Sequence, residues 1–172
     1  MRMHKKFALG AVVLAGLSAG AAQAANAPPA PTAEFVLEEI VKLGPVVEVG
    51  KTSKGERRII PITGGRFEGP GIKGEIVPGG WDWQLTRADG CTEVEADYFL
   101  KTDDGVVINV INKGALCPPA QGAAPSPVRT HPVFEAPLGK YEWMSKTAFI
   151  GTLEMADPAE GPAVKIRFYK MK

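Results

Sequence analysis

The chain has 172 residues, with 20 lysines and arginines against 19 aspartates and glutamates, and a formal net charge of +1 at pH 7. Hydrophobic residues make up 45% of the chain, which is enough for one core of ordinary size. This near-neutral composition has no basic stripe, so it argues against a nucleic-acid binding protein and against attraction to an anionic membrane surface.

The first 24 residues have the three parts of a secretory signal peptide. Met1–Lys6 is a basic n-region, Phe7–Gly20 is an apolar h-region, and Ala22-Gln23-Ala24 has the form of a signal-peptidase site. Cleavage after Ala24 predicts a soluble, exported protein, periplasmic or secreted, with no membrane segment once the peptide is removed.

A Pro/Ala-rich tether, residues 25–32, has nothing to bury and is predicted to be disordered before one domain at residues 33–172. The first segment of this domain, Glu34–Leu43, fits a helix or a strand, and its alternating apolar residues favour a strand. A Gly-Pro break follows it, and then a second short strand at Val46–Val49.

The stretch Pro61–Gln84 holds seven glycines between short apolar pieces. Glycine and proline at that density exclude a helix, because one Gly costs about 1 kcal/mol and one Pro about 3 inside a helix. Glycine within a strand pattern indicates bulges and sharp bends. A sheet that bends so often usually curls, so this stretch predicts part of a barrel wall.

The next hairpin has the clearest strand pattern in the chain. Four residues of its first strand alternate with polar neighbours and are predicted to point inward: Val94, Ala96, Tyr98 and Leu100. Asp103–Gly105 is a strong turn signal, and a three-residue loop there pairs Thr102 with Val106. In that register Asn112 lies opposite Ala96 on the inward face.

The same register places Cys91 opposite Cys117 at the open end of the hairpin. In an oxidising export compartment, such a pair is most simply a disulfide. Two free buried thiols are the alternative.

The rest of the chain continues the strand pattern after a Pro/Ala/Gly loop at Cys117–Pro127, which is typical of a lid or a disordered segment. Strands are predicted at Val128–Glu135, Tyr141–Leu153 and Ala163–Met171, and no segment is a convincing helix. Many short strands with turns between them predict an all-β fold, a single closed antiparallel β-barrel of about eight to ten strands, with a sandwich as the alternative.

A series of motifs runs through most of the domain. In chain order they are Arg57–Gly65 (RRIIPITGG), Phe67–Pro70, Pro78–Gly80 with Asp82–Gln84, Arg87-x-Asp89-Gly90, Tyr98 with Thr102–Gly105, Arg129–Glu135 (RTHPVFE), Tyr141-x-Trp143 and Phe149–Gly151. In these motifs and their order the chain resembles the domain-of-unknown-function family 3237. The resemblance implies a small closed antiparallel β-barrel and implies little about activity, because the family's function is largely unassigned.

Four features depart from the family pattern. They are the signal peptide, Trp81 in place of a small residue, the apolar Cys117–Pro127 loop, and Ser145 where Asn is common. The last three lie where they would alter a pocket, so a ligand cannot simply be carried over from the family.

No metal or cofactor site is predicted. His131 is the one histidine that remains after the signal peptide, and no Cys-x-x-Cys spacing exists. Gly69–Gly74 matches the letters G-x-G-x-x-G, but no helix follows it to hold a pyrophosphate. Without a G-x-S-x-G elbow or a histidine triad, any catalysis is expected to be cofactor-free acid–base chemistry.

The candidate catalytic residues are therefore Tyr98 with Asp82 or Glu135, which act as acid and base if burial tunes them. Arg129 is the candidate carboxylate clamp, because its planar fork matches a carboxylate. The other candidate substrate-binding residues are Trp83 and Trp143 on either side of a ring, with Arg87, Tyr141, Asn112 and Lys146. The structural alternatives are an Arg129–Glu135 rim ion pair and tryptophans that belong to the core.

Three functions are compatible with this pattern. The first is a cofactor-independent periplasmic enzyme of lyase, decarboxylase or isomerase type that holds a small aromatic or apolar carboxylic acid inside the barrel. The second is a non-catalytic small-molecule carrier of lipocalin-like type, and the third is a structural barrel filled by side chains. Small residues at inward positions argue against a filled barrel: Ala96, Asn112, Ser145, Thr147 and Gly151. A homo-oligomer is compatible with the sequence.

Overall fold

The alternating segments of the domain form strands of one continuous antiparallel sheet. The structure is a computed structural model that describes residues 28–119, 121–123 and 127–172. The predicted signal peptide and the start of the tether lie outside the described residues, as does part of the predicted Cys117–Pro127 loop. No helix among the described residues is long and apolar enough to cross a membrane.

The described residues of the domain form nine strands and two short 3-10 helices. The strands are β1 Ala33–Leu43, β2 Val47–Thr52, β3 Gly55–Gly69, β4 Ile72–Thr86, β5 Thr92–Thr102, β6 Val107–Leu116, β7 Val128–Glu135, β8 Phe149–Met155 and β9 Ala163–Met171. The 3-10 helices are Glu142–Lys146 and Pro158–Glu160.

The sheet closes on itself because β1 pairs with β9 on one side and with β3 on the other. The result is a closed antiparallel barrel of eight strands, with β2 as one extra strand. Leu43 pairs with Ile62 and Val47 pairs with Ile59, so β1 and β2 lie end to end along β3. The predicted closed all-β barrel is confirmed.

Glycines allow the two longest strands to bend around the barrel. The pairing of β3 with β4 is irregular between Ile62 and Gly65, and that of β4 with β5 is irregular between Val77 and Trp81. At Gly80 a Cβ atom would lie 2.6 Å from the Cβ of Tyr98, so no larger residue fits there without moving that strand. The glycine-rich stretch bends the sheet as its sequence predicts.

The β5–β6 hairpin has the predicted register. Ala96 pairs with Asn112, and the amide of Thr102 donates to the carbonyl of Val106 at 2.9 Å. At the open end of the hairpin Cys91 and Cys117 form a disulfide, so this prediction is also confirmed.

The strand predicted for Tyr141–Leu153 is wrong in its first half, because Glu142–Lys146 is a 3-10 helix and β8 begins only at Phe149. Tyr141 and Met144 are both buried, and a spacing of three places them on one side of a 3-10 turn. Ser145, predicted inward, is exposed.

This 3-10 helix closes one end of the barrel. Met144 is 1% exposed and belongs to the core cluster. The Tyr141 hydroxyl donates to the carboxylate of Asp104 in the β5–β6 turn at 3.2 Å, which places the helix at that end. Phe134 packs edge-on against Phe149 and Phe168, with ring centroids 4.7 and 5.4 Å apart. The barrel interior is therefore densely filled at this end.

We predict that removing the disulfide lowers the free energy of unfolding by about 3 kcal/mol, because the bond closes a loop of 26 residues in the unfolded chain. Urea unfolding of the wild type, with and without reductant, measures this loss. The double variant Cys91→Ser/Cys117→Ser is the control, because it has no disulfide to reduce. Its urea unfolding midpoint should be the same with and without reductant. Two titratable thiols in the purified protein would contradict the prediction.

Candidate active site

The barrel interior contains a cavity of about 270 Å³. Most of its wall is apolar, with Leu43, Ile60, Ile62, Val94, Leu153 and Val164 among the lining residues. Five polar side chains also line it: Arg58, Asp82, Gln84, Tyr98 and Asn112. A small apolar cavity with a few convergent polar groups is the usual form of a ligand site, and this volume is near the lower limit of about 300 Å³ for such sites.

Tyr98 lies in the cavity wall and is hydrogen bonded to a buried carboxyl group. Its hydroxyl donates to Oε2 of Glu39 at 2.6 Å, and both side chains are fully buried. Glu39 comes from the inward face of β1, where it follows Leu37 and precedes Val41. The other carboxyl oxygen, Oε1, has no hydrogen-bond partner among the described residues. Glu39 therefore has one bond where an ionised carboxylate needs several.

Burial raises the pKa of Glu39 to about 8, and the hydrogen bond from Tyr98 lowers it by less. Burial also raises the pKa of Tyr98 well above its usual value, with a further increase from the neighbouring charge of Glu39. At neutral pH Glu39 is therefore mostly a protonated acid, and Tyr98 keeps its proton. A neutral carboxylic acid in an apolar site can donate a hydrogen bond or a proton.

A second chain of polar groups runs from Asp82 towards the solvent. Asp82 Oδ2 accepts a hydrogen bond from Gln84 Nε2 at 2.7 Å, and Gln84 Oε1 accepts one from Arg58 Nε at 2.7 Å. Gln84 is buried, whereas Arg58 is exposed. Arg58 therefore lies at the open mouth of the cavity.

Burial raises the pKa of Asp82, while the hydrogen bond from Gln84, a backbone hydrogen bond and the charge of Arg58 lower it by smaller amounts. Its Oδ1 is buried without a partner in the part of the chain that the structure describes, and the same is true of Asn112 Oδ1. Buried polar atoms are nearly always hydrogen bonded in folded proteins. These two acceptors are thus suited to a ligand that brings hydrogen-bond donors into the cavity.

The strand register places these groups together. Asp82 pairs with Ala96, and Ala96 pairs with Asn112, so the three residues form one inward row across β4, β5 and β6. Tyr98 lies two residues along β5 from Ala96 and therefore shares its face. The small side chain of Ala96 leaves the space between the polar groups open.

Of the residues predicted for the site, Tyr98, Asp82 and Asn112 line the cavity and the remaining seven do not. Glu135 and Trp83 line a groove on the outer surface of the barrel. Arg87 and Arg129 line a neighbouring outer depression with Trp83. Arg87 is paired with Asp89 and Glu93, and Arg129 donates to the carbonyl of Pro127 at 2.7 Å. In β7 the inward residue beside Arg129 is Thr130.

The other three predicted residues, Tyr141, Trp143 and Lys146, lie on the 3-10 helix and its N-cap, at the barrel end away from the cavity mouth. Tyr141 is buried and bonded to Asp104, and Lys146 pairs with Glu142 at 2.9 Å. Trp143 packs partly buried against the core, with the ammonium group of Lys170 5.5 Å from its ring centroid.

Sequence reasoning missed Glu39, Arg58 and Gln84. The signal for Glu39 was its position midway between Leu37 and Val41 in an alternating strand, which puts it on the inward face. Gln84 likewise shares the parity of Asp82, and Arg58 that of Ile60. A search for polar residues on the apolar face of a strand would have found all three.

The chain matches the profile of a family described as "Protein of unknown function (DUF3237)" over residues 31–171. The chain belongs to the DUF3237 family. Among relatives of this DUF3237 protein, the UPF0311 protein RPA1785 of Rhodopseudomonas palustris is 36% identical over 135 residues, which cover 71% of this chain and 88% of that protein.

Solved structures have the same barrel. The crystal structure of RPA1785, described as a conserved protein of unknown function, superposes with a TM-score of 0.74 and 31% identity over 84% of this chain and 100% of that one. A β-barrel like protein (ABAYE2633) of Acinetobacter baumannii superposes with a TM-score of 0.74 and 36% sequence identity, over 86% of this chain and 99% of that one. The structure of an enzyme from Penicillium herquei superposes with a TM-score of 0.68 over 86% of this chain and 98% of that one. Its sequence identity is 22%, so this similarity shows the shared fold alone.

We predict that Glu39 makes the DUF3237 protein less stable as the pH rises from about 4.5 to about 8. The pKa of Glu39 is about 8 when folded against a usual value of 4.5, so within this window the folded protein holds a proton that the unfolded chain has lost. The free energy of unfolding falls by up to about 1.4 kcal/mol per pH unit in this window. Chemical denaturation across this pH range measures it.

Glu39→Gln is the matched variant, because its neutral amide cannot titrate. Asp82 titrates in both proteins, so the wild-type curve minus the variant curve isolates Glu39. That difference should favour the wild type most at low pH and shrink towards pH 8. A difference that does not change between these pH values would mean that Glu39 is ionised throughout.

Proposed function

We propose that this DUF3237 protein is a cofactor-independent enzyme that moves protons on a small apolar acid held inside the barrel, in a reaction of lyase, decarboxylase or isomerase type. The observation that carries this proposal is the buried hydrogen bond between Tyr98, which lines the apolar cavity, and Glu39, which lies behind it. A buried hydrogen-bonded acid with a raised pKa is costly to stability and is typical of catalytic sites.

The apolar wall accommodates the body of the ligand, and Arg58 is the residue we assign to its carboxylate. Arg58 lies at the cavity mouth with its Nε bonded to Gln84, which orients the guanidinium and leaves the two terminal nitrogens for a bidentate contact. Arg129 was the sequence-based candidate for this role, but it does not line the cavity. The volume of about 270 Å³ suits a ligand with a single ring.

Asp82 and Tyr98 are suited to opposite halves of a proton transfer. Ionised Asp82 can accept a proton from a carbon atom of the ligand, while Tyr98 donates its proton to the ligand oxygen on which charge develops. Glu39 can then donate its proton to Tyr98, which restores the hydroxyl. The charge of Asp82 raises the pKa of Tyr98, which supports their proximity. The ligand loses one proton and gains one, which leaves Asp82 protonated and Glu39 ionised. Exchange with solvent through the cavity mouth at Arg58 removes the proton from Asp82 and returns one to Glu39 through Tyr98, and no cofactor is required.

A non-catalytic carrier is the second candidate, and the mostly apolar cavity wall favours it. The carrier and the enzyme differ in what Tyr98 does, because a carrier needs no proton donor. In either case we propose that the protein works in an oxidising compartment outside the cytoplasm. The signal-peptide pattern and the Cys91–Cys117 disulfide support that location.

Turnover is tested with phenylpyruvate, an aromatic acid whose keto–enol isomerisation requires only one proton removed and one added. We predict that Tyr98→Phe lowers the rate of isomerisation about a hundredfold or more with nearly unchanged affinity, since it removes only the acidic hydroxyl. The ultraviolet absorbance of the enol follows the reaction.

Tyr169→Phe is the control, because that tyrosine packs on Phe35 and does not line the cavity. If Tyr98→Phe binds and turns over phenylpyruvate as the wild type does, the enzyme proposal fails and the carrier reading replaces it.

Anchoring of the carboxylate is tested with the pair Arg58→Ala and Arg129→Ala. We predict that Arg58→Ala weakens phenylpyruvate binding by about 1.5–3 kcal/mol, the scale of a hydrogen-bonded charge. Arg129→Ala should leave affinity unchanged, because Arg129 lies outside the cavity. Isothermal titration calorimetry measures both, and the reverse pattern would place the acid on the outer surface.

A further inference from the structure

A second concave site lies on the outer surface of the barrel, separate from the interior cavity. It is a groove of about 710 Å³ lined by parts of β4, β5 and β6 and by residues 135–137. Three aromatic side chains line it and remain exposed: Trp81 at 42%, Trp83 at 47% and Phe99 at 47%. On β4 the inward Asp82 lies between the two tryptophans, so the groove and the cavity are on opposite faces of the same strand.

Exposed aromatic residues clustered in one groove point to a binding surface. Single exposed apolar residues are ordinary, but a concave cluster of large ones is typical of a ligand or partner site. The faces of Trp81 and Trp83 carry no cation from the described part of the chain, where the two such contacts are Lys140 on Tyr141 and Lys170 on Trp143. These indole faces are therefore available to a ligand.

The charge of the groove is entirely negative. Among the described residues that line it, Asp97 and Glu135 carry charge and none is a lysine or arginine. Arg87 and Arg129 lie in the neighbouring depression on the other side of Trp83. Asp97 Oδ1 accepts a hydrogen bond from Asn109 Nδ2 at 2.7 Å, which fixes its position beside the aromatic residues. Neither carboxylate forms an ion pair within the described residues, whereas two other exposed glutamates of the same sheet, Glu75 and Glu95, are paired with lysines.

Aromatic faces and unpaired carboxylates together favour one class of ligand, an organic cation with an apolar surface. Tryptophan is the strongest aromatic partner of a cation, and quaternary ammonium groups are bound in this way because their methyl groups contact the ring. A neutral apolar ligand would gain nothing from the two carboxylates, and an anion would be repelled by them.

We propose that the groove around Trp81, Trp83, Asp97 and Glu135 is a binding site for small quaternary or tertiary ammonium compounds. Self-association through the groove is disfavoured, because a two-fold interface would bring this acidic surface against its own copy. The site uses the outer face of β4 and does not depend on the reaction proposed for the interior.

The test uses choline as the probe and 3,3-dimethyl-1-butanol, which has the same shape without the charge, as its matched control. Calorimetric titration of the purified protein should show saturable choline binding that weakens with salt, since the interaction is partly ionic. The neutral alcohol should bind at least fivefold more weakly. Equal binding of the two compounds, or no choline binding, would overturn the proposal.

Substitutions at three exposed positions locate the site. Trp81→Ala should weaken choline binding at least tenfold, and Glu135→Gln should weaken it severalfold while keeping the shape of the side chain. Glu48→Gln, an exposed carboxylate on β2 away from the groove, should change nothing. Thermal unfolding checks that each variant is folded, and Trp81→Phe, which keeps an aromatic face, should recover part of the affinity.

Two further outcomes would reject the proposal. Choline that competes with phenylpyruvate, or that binds Trp81→Ala normally, would place its site outside the groove. Sedimentation velocity that shows a dimer which dissociates on Trp81→Ala, without choline binding, would instead make the groove a self-association surface.

Discussion

The hydrogen bond between Tyr98 and Glu39 is the interaction on which the rest of the account depends. It joins β5 to β1 across the barrel interior, and it holds Glu39, the one fully buried carboxyl group among the described residues, behind the Tyr98 side chain that lines the cavity. A leucine at position 39 would avoid the cost of burying a carboxyl group with a single partner. Stability alone does not account for a carboxyl group at this position. Burial keeps Glu39 protonated at neutral pH, which is the state that the proposed proton transfer requires.

The two ends of the barrel differ, because one is filled with side chains and the other opens to the cavity. The 3-10 helix at Glu142–Lys146 fills one end with Tyr141 and Met144, while the other end leads to the polar chain of Arg58, Gln84 and Asp82. A barrel of eight strands is just wide enough for side chains to fill it or for one small ligand. Closure at one end and small or polar residues towards the other therefore leave a cavity in a fold that could equally have been solid.

Much of the fold follows from local sequence patterns. The β5–β6 turn at Asp103–Gly105 determines the hairpin register, and the register then brings Cys91 to Cys117. The site was harder to predict, because strand alternation says which face a residue takes but not which strands close the barrel. Arg129 was assigned to a pocket from its planar fork, an expected inward parity and its place in a family-like motif, whereas in the structure it is exposed and the inward residue beside it is Thr130. The alternation in β1 indicates that Glu39 points inward, but its partner Tyr98 depends on the β1–β9 and β1–β3 pairings that close the barrel, and these long-range contacts are not encoded locally.

The most direct test of the central claim is the titration of the Glu39 carboxyl group itself. Nuclear magnetic resonance of protein labelled with carboxyl-¹³C glutamate, assigned by comparison with Glu39→Gln, reports the pKa of each glutamate separately. We expect the Glu39 resonance to titrate at about 8 and to shift when phenylpyruvate binds. A Glu39 resonance that titrates near 4.5 and does not respond to the acid would contradict it.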